Sequence, residues 1–145
     1  KLNIIFIGQF DNDTDKTQLQ KFSNVNIVPP VSYEEALNFI INADALLLYG
    51  NANSTQVPGK AYEYFGSNAV IFTLLGDFED ELGPLMKKAN KGPVFLNEEE
   101  LIYKELIKLT DSFINNNLPL TWSEVQEDFQ WINVGKDLES KLMKG

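Results

Sequence analysis

Between two apolar runs, Ala45–Tyr49 and Ala69–Thr73, lies the stretch of this chain whose residue types and spacing best suit chemistry, Val57-Pro-Gly-Lys-Ala-Tyr-Glu-Tyr-Phe65. Proline in a helix's first turn sacrifices no hydrogen bond, because the N–H it lacks has no partner there. Gly59 and Lys60 follow with free backbone N–H groups, and glycine lets a ligand approach the main chain closely. Free amides, the positive end of a helix dipole and the Lys60 ammonium together make a cradle for a phosphate or diphosphate. The dipole contributes about 0.3–1 kcal/mol at an exposed site, so the amides and the ammonium would supply most of the affinity. Glu63 falls three residues after Lys60, on the same helical face one turn along, where a carboxylate can accept two hydrogen bonds from a ribose diol. The spacing suits a nucleoside diphosphate. The same residues also read as an ordinary i,i+3 surface ion pair after a Pro-Gly turn, worth a few tenths of a kcal/mol.

These residues need a scaffold, and the flanking runs describe one. The pattern of strand, polar loop, short helix beginning near Pro58 and second strand is a βαβ unit. Its loop therefore sits at the carboxyl end of a strand, where open α/β sheets bind ligands. Along the chain, Leu2–Gly8 reads as a strand buried on both faces, Thr17–Phe22 as a short helix, and Val25–Val28 as a strand stopped by Pro29-Pro30. Ser32 and Glu35 have capping-box spacing at the start of a helix carrying Ala36, Leu37, Phe39, Ile40 and Ile41. Further on come a helix over Asp77–Asn90 with an acidic first turn, and an edge strand Pro93–Leu96. Asn97 is placed to cap a helix running from Glu98 to about Phe113, and Thr121 or Ser123 to cap a last helix with Val125, Phe129, Ile132, Leu138 and Leu142. Strands alternating with helices through short loops predict a Rossmann-like, doubly wound parallel α/β sheet, with residues 1–145 as one domain.

Composition narrows the function classes. A formal net charge of −9 argues against nucleic acid or an anionic membrane as a partner of the whole surface. The chain has no Cys and no His, which excludes disulfides and thiolate metal sites and removes the commonest general base. No metal site is expected, and catalysis would rest on carboxylates, Lys, Tyr or a partner domain. No apolar run approaches the roughly 20 residues of a membrane span and no signal-peptide pattern opens the chain, so a cytoplasmic location is expected. Lys1 leads directly into the first strand without a methionine, which is expected of a chain processed or excised from a longer one.

Asp11, Asp13 and Asp15 alternate like metal ligands, but Lys16 and Phe22 stand where a calcium loop requires Gly and Glu, so a solvated loop is expected. Asp77, Glu79, Asp80 and Glu81 read as the acidic first turn of a helix rather than a cation site. Trp122, Phe129 and Trp131 read as the packing face of a final helix rather than an aromatic platform for a sugar or base. The sequons at Asn12 and Asn53 matter only in a secretory compartment.

Val57–Phe65, followed by Gly66-Ser-Asn and Ala69-Val-Ile-Phe72, resembles a segment in the carboxyl-terminal half of GT-B glycosyltransferases, of the form PxKxxEY, a short turn, then PVI. That form is best known in the large family-4 group of retaining enzymes. Ile4–Gly8, Glu34-Glu-Ala-Leu37 before Asn42–Leu48, and Gly92–Leu109 extend the resemblance over nearly the whole chain, although only the central stretch is specific. The resemblance implies that Gly59 and Lys60 bind the diphosphate of a UDP- or GDP-linked sugar, that Glu63 binds the ribose, and that Pro30 and Val31 hold the base. Val70 departs from the family's proline. Thr55, with Gln56 beside it in the donor-sugar vicinity, replaces a second glutamate that the family often has, so sugar contact differs or transfer is impaired.

The activity implied by the resemblance is that of the donor-nucleotide-binding half of a retaining glycosyltransferase in glycan or polysaccharide synthesis, inactive alone. Such a half would need no metal or cofactor beyond its substrate, and would meet a glycan or lipid-linked acceptor through an amino-terminal half, with the inner face of a membrane as one expected place of work. A nucleotide-sugar epimerase of similar architecture and a non-catalytic interaction domain are the alternatives.

Overall fold

Six consecutive residues, Val70-Ile-Phe-Thr-Leu-Leu75, form a strand with every side chain buried, which requires cover on both faces of a sheet. The computed structural model, which describes residues 2–52 and 56–129, supplies that cover. Its elements run β1 (Ile4–Ile7), α1 (Asp13–Leu19), β2 (Val25–Val28), α2 (Tyr33–Ile41), β3 (Ala45–Tyr49), α3 (Lys60–Phe65), β4 (Val70–Leu75), α4 (Leu82–Ala89), β5 (Val94–Leu96) and α5 (Glu99–Ile114). Two 3₁₀ turns follow at Leu120–Ser123 and Glu127–Phe129. All three ladders are parallel, and they form a two-stranded sheet β1-β2 and a three-stranded sheet β3-β4-β5. The chain divides into two compact units, Lys1–Phe39 and Ile40–Gly145. It is therefore a mixed α/β protein built on parallel sheets. No helix among the described residues is long and apolar enough to cross a membrane.

In the first unit, Ile4 to Ile7 pair in register with Val25 to Val28. Ile5 and Ile7 are exposed, so the expectation that this strand is buried on both faces fails. Only alternate side chains, Ile4 and Phe6, are half-buried, the period-two pattern of a strand covered on one side. The first helix begins four residues earlier than expected because Asn12 caps it, its Oδ1 accepting from the Thr14 amide at 2.8 Å. Asp13 and Asp15 thus lie in a helical first turn rather than a solvated loop. The capping box before α2 forms as its spacing predicts: Ser32 N and Oγ donate to Glu35 Oε2 at 3.0 and 2.8 Å, and the Glu35 amide donates back to Ser32 Oγ at 3.2 Å. These bonds, the backbone one foremost, hold the Glu35 carboxyl below its usual range.

In the second unit β4 is the central strand. One face of the sheet places Leu48, Ile71 and Leu75 against Ala61 and Phe65 of α3 and Leu82, Met86 and Ala89 of α4. The other places Val70, Phe72 and Leu74 against Leu109 of α5, with Ile102, Leu106 and Phe113 around it. Each of the larger of these side chains contributes roughly 1.5–3 kcal/mol on burial, which makes β4 the anchor to which the surrounding loops are fixed.

Three sequence-based boundaries are corrected. The fourth helix starts at Leu82 rather than Asp77, because Asp80 and its neighbours form a turn that precedes it. Glu98, not Asn97, is the N-cap of α5, since the Glu98 carbonyl accepts the first helical bond, from the Ile102 amide at 2.9 Å. In place of a last helix begun at Thr121 or Ser123, the chain makes two short 3₁₀ turns, while Trp131, Ile132, Leu138 and Leu142 lie outside the described residues.

Candidate functional site

At the carboxyl end of β3 the chain leaves the sheet through Gly50, whose amide donates to the Leu74 carbonyl at 2.7 Å and so continues the ladder. Its loop lies directly on the loop that leaves β4. A Cβ at Gly76 would come within 2.2 Å of the Ala52 nitrogen, and one at Gly50 within 1.8 Å of Asp80 Oδ2, so both positions demand glycine for close approach. Asp80 is the clamp between them. Its carboxylate, 2% exposed, accepts from the Gly76 amide at 3.0 Å and from the Leu82 amide at 3.0 Å. The loop therefore stands on a fixed floor rather than on a solvated acidic turn.

α3 begins tightly, with the Ala61 amide donating to the Pro58 carbonyl at 3.0 Å and the Tyr62 amide to the Gly59 carbonyl at 3.1 Å. Ala61 and Phe65 are buried against the sheet, which turns Lys60 and Glu63 outward. Their side chains meet, Lys60 Nζ to Glu63 Oε2 at 2.7 Å, with Lys60 53% and Glu63 29% exposed. Gly59 is the N-cap and has ordinary right-handed helical angles, φ −56° and ψ −28°. A Cβ there would meet nothing within 4 Å among the described residues. Among the described residues, neither backbone conformation nor packing thus requires glycine at this position, and the space beside its main chain is open.

The structure brings Gly59, Lys60 and Glu63 together on one exposed corner. Burial raises the neighbouring Tyr64 phenol above its usual value, an effect the Lys60 charge reduces and Glu63 reinforces. Burial likewise raises Tyr49, the last residue of β3. Gln56 is exposed in the same loop, and Thr55 lies outside the described residues, as does the Asn53 sequon. Pro30 is exposed and Val31 half-buried, both directly after β2 in the first unit. No group of His, Cys, Asp or Glu among the described residues is arranged to hold a metal.

Comparison of the chain with protein-family models, with curated proteins and with solved structures finds no match. The functional reading of this corner rests on its own residues and geometry.

Two residues that sequence reasoning passed over shape it. Asp80 was legible only as one of four acidic residues, although its distance of four from Gly76 was a usable signal. Lys91 is 0% exposed, and its ammonium donates to the Ser67 carbonyl at 2.8 Å and the Glu124 carbonyl at 2.6 Å. It joins the chain just after α3 to the segment before the second 3₁₀ turn. There the Gln126 amide donates to the Phe65 carbonyl at 3.1 Å, and the Phe129 ring stacks on Phe65 with centroids 4.4 Å apart. Phe129 therefore backs α3, while Trp122 packs against the Leu109 cluster on the other face of the sheet. They do not share an aromatic platform.

Proposed function

We propose that this chain binds the nucleoside diphosphate of a sugar donor, as the Rossmann-like, donor-binding half of a retaining GT-B-type glycosyltransferase. The observation that carries the reading is the Lys60–Glu63 pair at 2.7 Å beside the open main chain of Gly59, on the helix that follows the carboxyl end of β3. A cation for the diphosphate and a carboxylate for the ribose diol stand one helical turn apart, with glycine where a phosphate would approach the backbone. An exposed ion pair is worth at most about 1 kcal/mol, so opening it to place Lys60 on phosphate and Glu63 on ribose costs little. In transfer, Lys60 and the amides near Gly59 would hold the leaving diphosphate as its charge develops. Gln56 and Thr55 are the residues that would meet the donor sugar, and the acceptor, a glycan or lipid-linked saccharide, would be presented by a further domain.

Calorimetric titration with UDP and with GDP tests the reading. Saturable binding is expected with one of them, weakened about tenfold or more by Lys60→Ala and by Glu63→Ala. No heat from either nucleotide at millimolar concentration would overturn it.

A further inference from the structure

We infer a second binding site, for one neutral sugar ring of a glycan, in the cavity of about 240 Å³ bounded by α5, the chain that follows it and Pro93. It does not rest on the nucleotide reading, because Pro93 immediately precedes the amino end of β5 whereas Gly59 follows the carboxyl end of β3. The volume lies below the roughly 300–1,000 Å³ of sites for drug-sized ligands, which limits the occupant to about one ring.

The walls are held by specific contacts. Asn116, at φ 52°, ends α5 in a left-handed turn in which the Asn116 amide donates to the Phe113 carbonyl at 3.4 Å and the Asn117 amide to the Ser112 carbonyl at 3.0 Å. That Schellman pattern folds Asn117 back toward Ser112. Opposite, the Trp122 amide closes the 3₁₀ turn onto the Pro119 carbonyl at 3.0 Å, and Asn90 Nδ2 pins the turn by donating to Thr121 Oγ1 at 3.1 Å. Trp122 also packs against the buried cluster of Val70, Phe72, Leu74 and Leu109, so its ring is a fixed wall.

Chemistry selects the occupant. Among the described residues, the only charges lining the cavity are Glu105 and Lys108, which neutralise each other at 2.5 Å, so nothing there favours an ionic ligand. The other polar side chains that line the cavity, the Ser112 hydroxyl, the Asn117 amide and the Trp122 indole, are all neutral. An indole with two prolines suits the C–H face of a pyranose, and an indole N–H, a hydroxyl and an amide match its hydroxyls. A neutral polyhydroxylated ring satisfies both requirements at once.

Saturation-transfer NMR on the full chain with methyl glycosides of neutral hexoses tests this, at sugar concentrations about tenfold above a millimolar Kd. Transfer to ring C–H protons is expected. It should fall about tenfold in Trp122→Ala and severalfold in Asn117→Ala, and should persist in Glu63→Ala, which keeps the outcome separate from that of nucleotide binding. Asn117 is exposed, so Asn117→Ala decides the matter if Trp122→Ala fails to fold. Absence of transfer from every sugar, transfer undiminished by these variants, or displacement of the sugar by uridine or guanosine would overturn the proposal.

Discussion

Lys91 and Ser67 meet at full burial: the Lys91 ammonium, 0% exposed, donates to the Ser67 carbonyl at 2.8 Å across 24 residues of sequence. With its second bond to the Glu124 carbonyl, one side chain ties the end of the α3 region to the segment that carries Phe129 onto Phe65. Lys91→Met leaves two carbonyls without their donor and is expected to destabilise the fold by about 1–3 kcal/mol in urea unfolding at neutral pH. Burial holds the Lys91 ammonium below the usual lysine range, with the Glu124 charge partly restoring it. Between the folded value and the unfolded one, roughly 10.4, the unfolded chain binds more protons, so this residue's contribution makes stability rise with pH. Tyr49 and Tyr64, raised by burial, act in the opposite sense above roughly pH 10. The difference between the native chain and Lys91→Met isolates the lysine: it should grow with pH below about 10, and a difference independent of pH would refute the assignment.

Asp80 makes a second prediction. Asp80→Ala removes the acceptor for both the Gly76 and Leu82 amides, and the loss is expected at about 2–4 kcal/mol. Asp80→Asn would set an amide N–H against one of those donors and should also destabilise. Gly76→Ala forces the loops after β3 and β4 apart and should lower the melting temperature as well. A variant of Asp80 as stable as the native chain would show that the carboxylate is not the clamp.

Thr73 in the central strand is 0% exposed, and its Oγ1 has no hydrogen-bond partner among the described residues. Thr73→Val keeps the branched shape while removing the buried hydroxyl. Urea unfolding should show a gain of about 1 kcal/mol, and a loss of that size would mean that the hydroxyl is satisfied in solution.

Gly59 separates structure from function. Its helical angles and open surroundings predict that Gly59→Ala keeps the fold and changes stability by no more than about 1 kcal/mol, since the lower entropy of the unfolded chain favours alanine while the N-cap position favours glycine. The same methyl group would stand where the proposed function has a diphosphate approach, so on that proposal affinity for UDP or GDP should fall about tenfold. Unchanged affinity, with binding established for the native chain, would move the phosphate away from this corner.

The alternation of apolar runs with capped polar stretches announced most of the elements, because local propensity and periodicity act over a few residues. The βαβ unit around Lys60, the Ser32–Glu35 capping box and the parallel pairing of the described strands were all legible in this way. So was the meeting of Lys60 and Glu63, since a helical turn fixes their separation whatever surrounds it. The burial of β1, the start of α4 and the nature of the segment after α5 were not, because each depends on what covers it from elsewhere in the chain.

The same division runs through the candidate site. By itself the sequence determined its chemistry, a glycine, a cation and a carboxylate within one turn of helix, because residue identity and helical pitch suffice for that. Only the tertiary structure decided what holds the corner in place. Gly50, Gly76 and Asp80 converge because parallel pairing of β3 with β4 brings their carboxyl ends together, and Lys91 reaches Ser67 and Glu124 because the fold brings all three segments to one point. Contacts between residues distant in sequence arise from close packing around β4, and no local pattern encodes them.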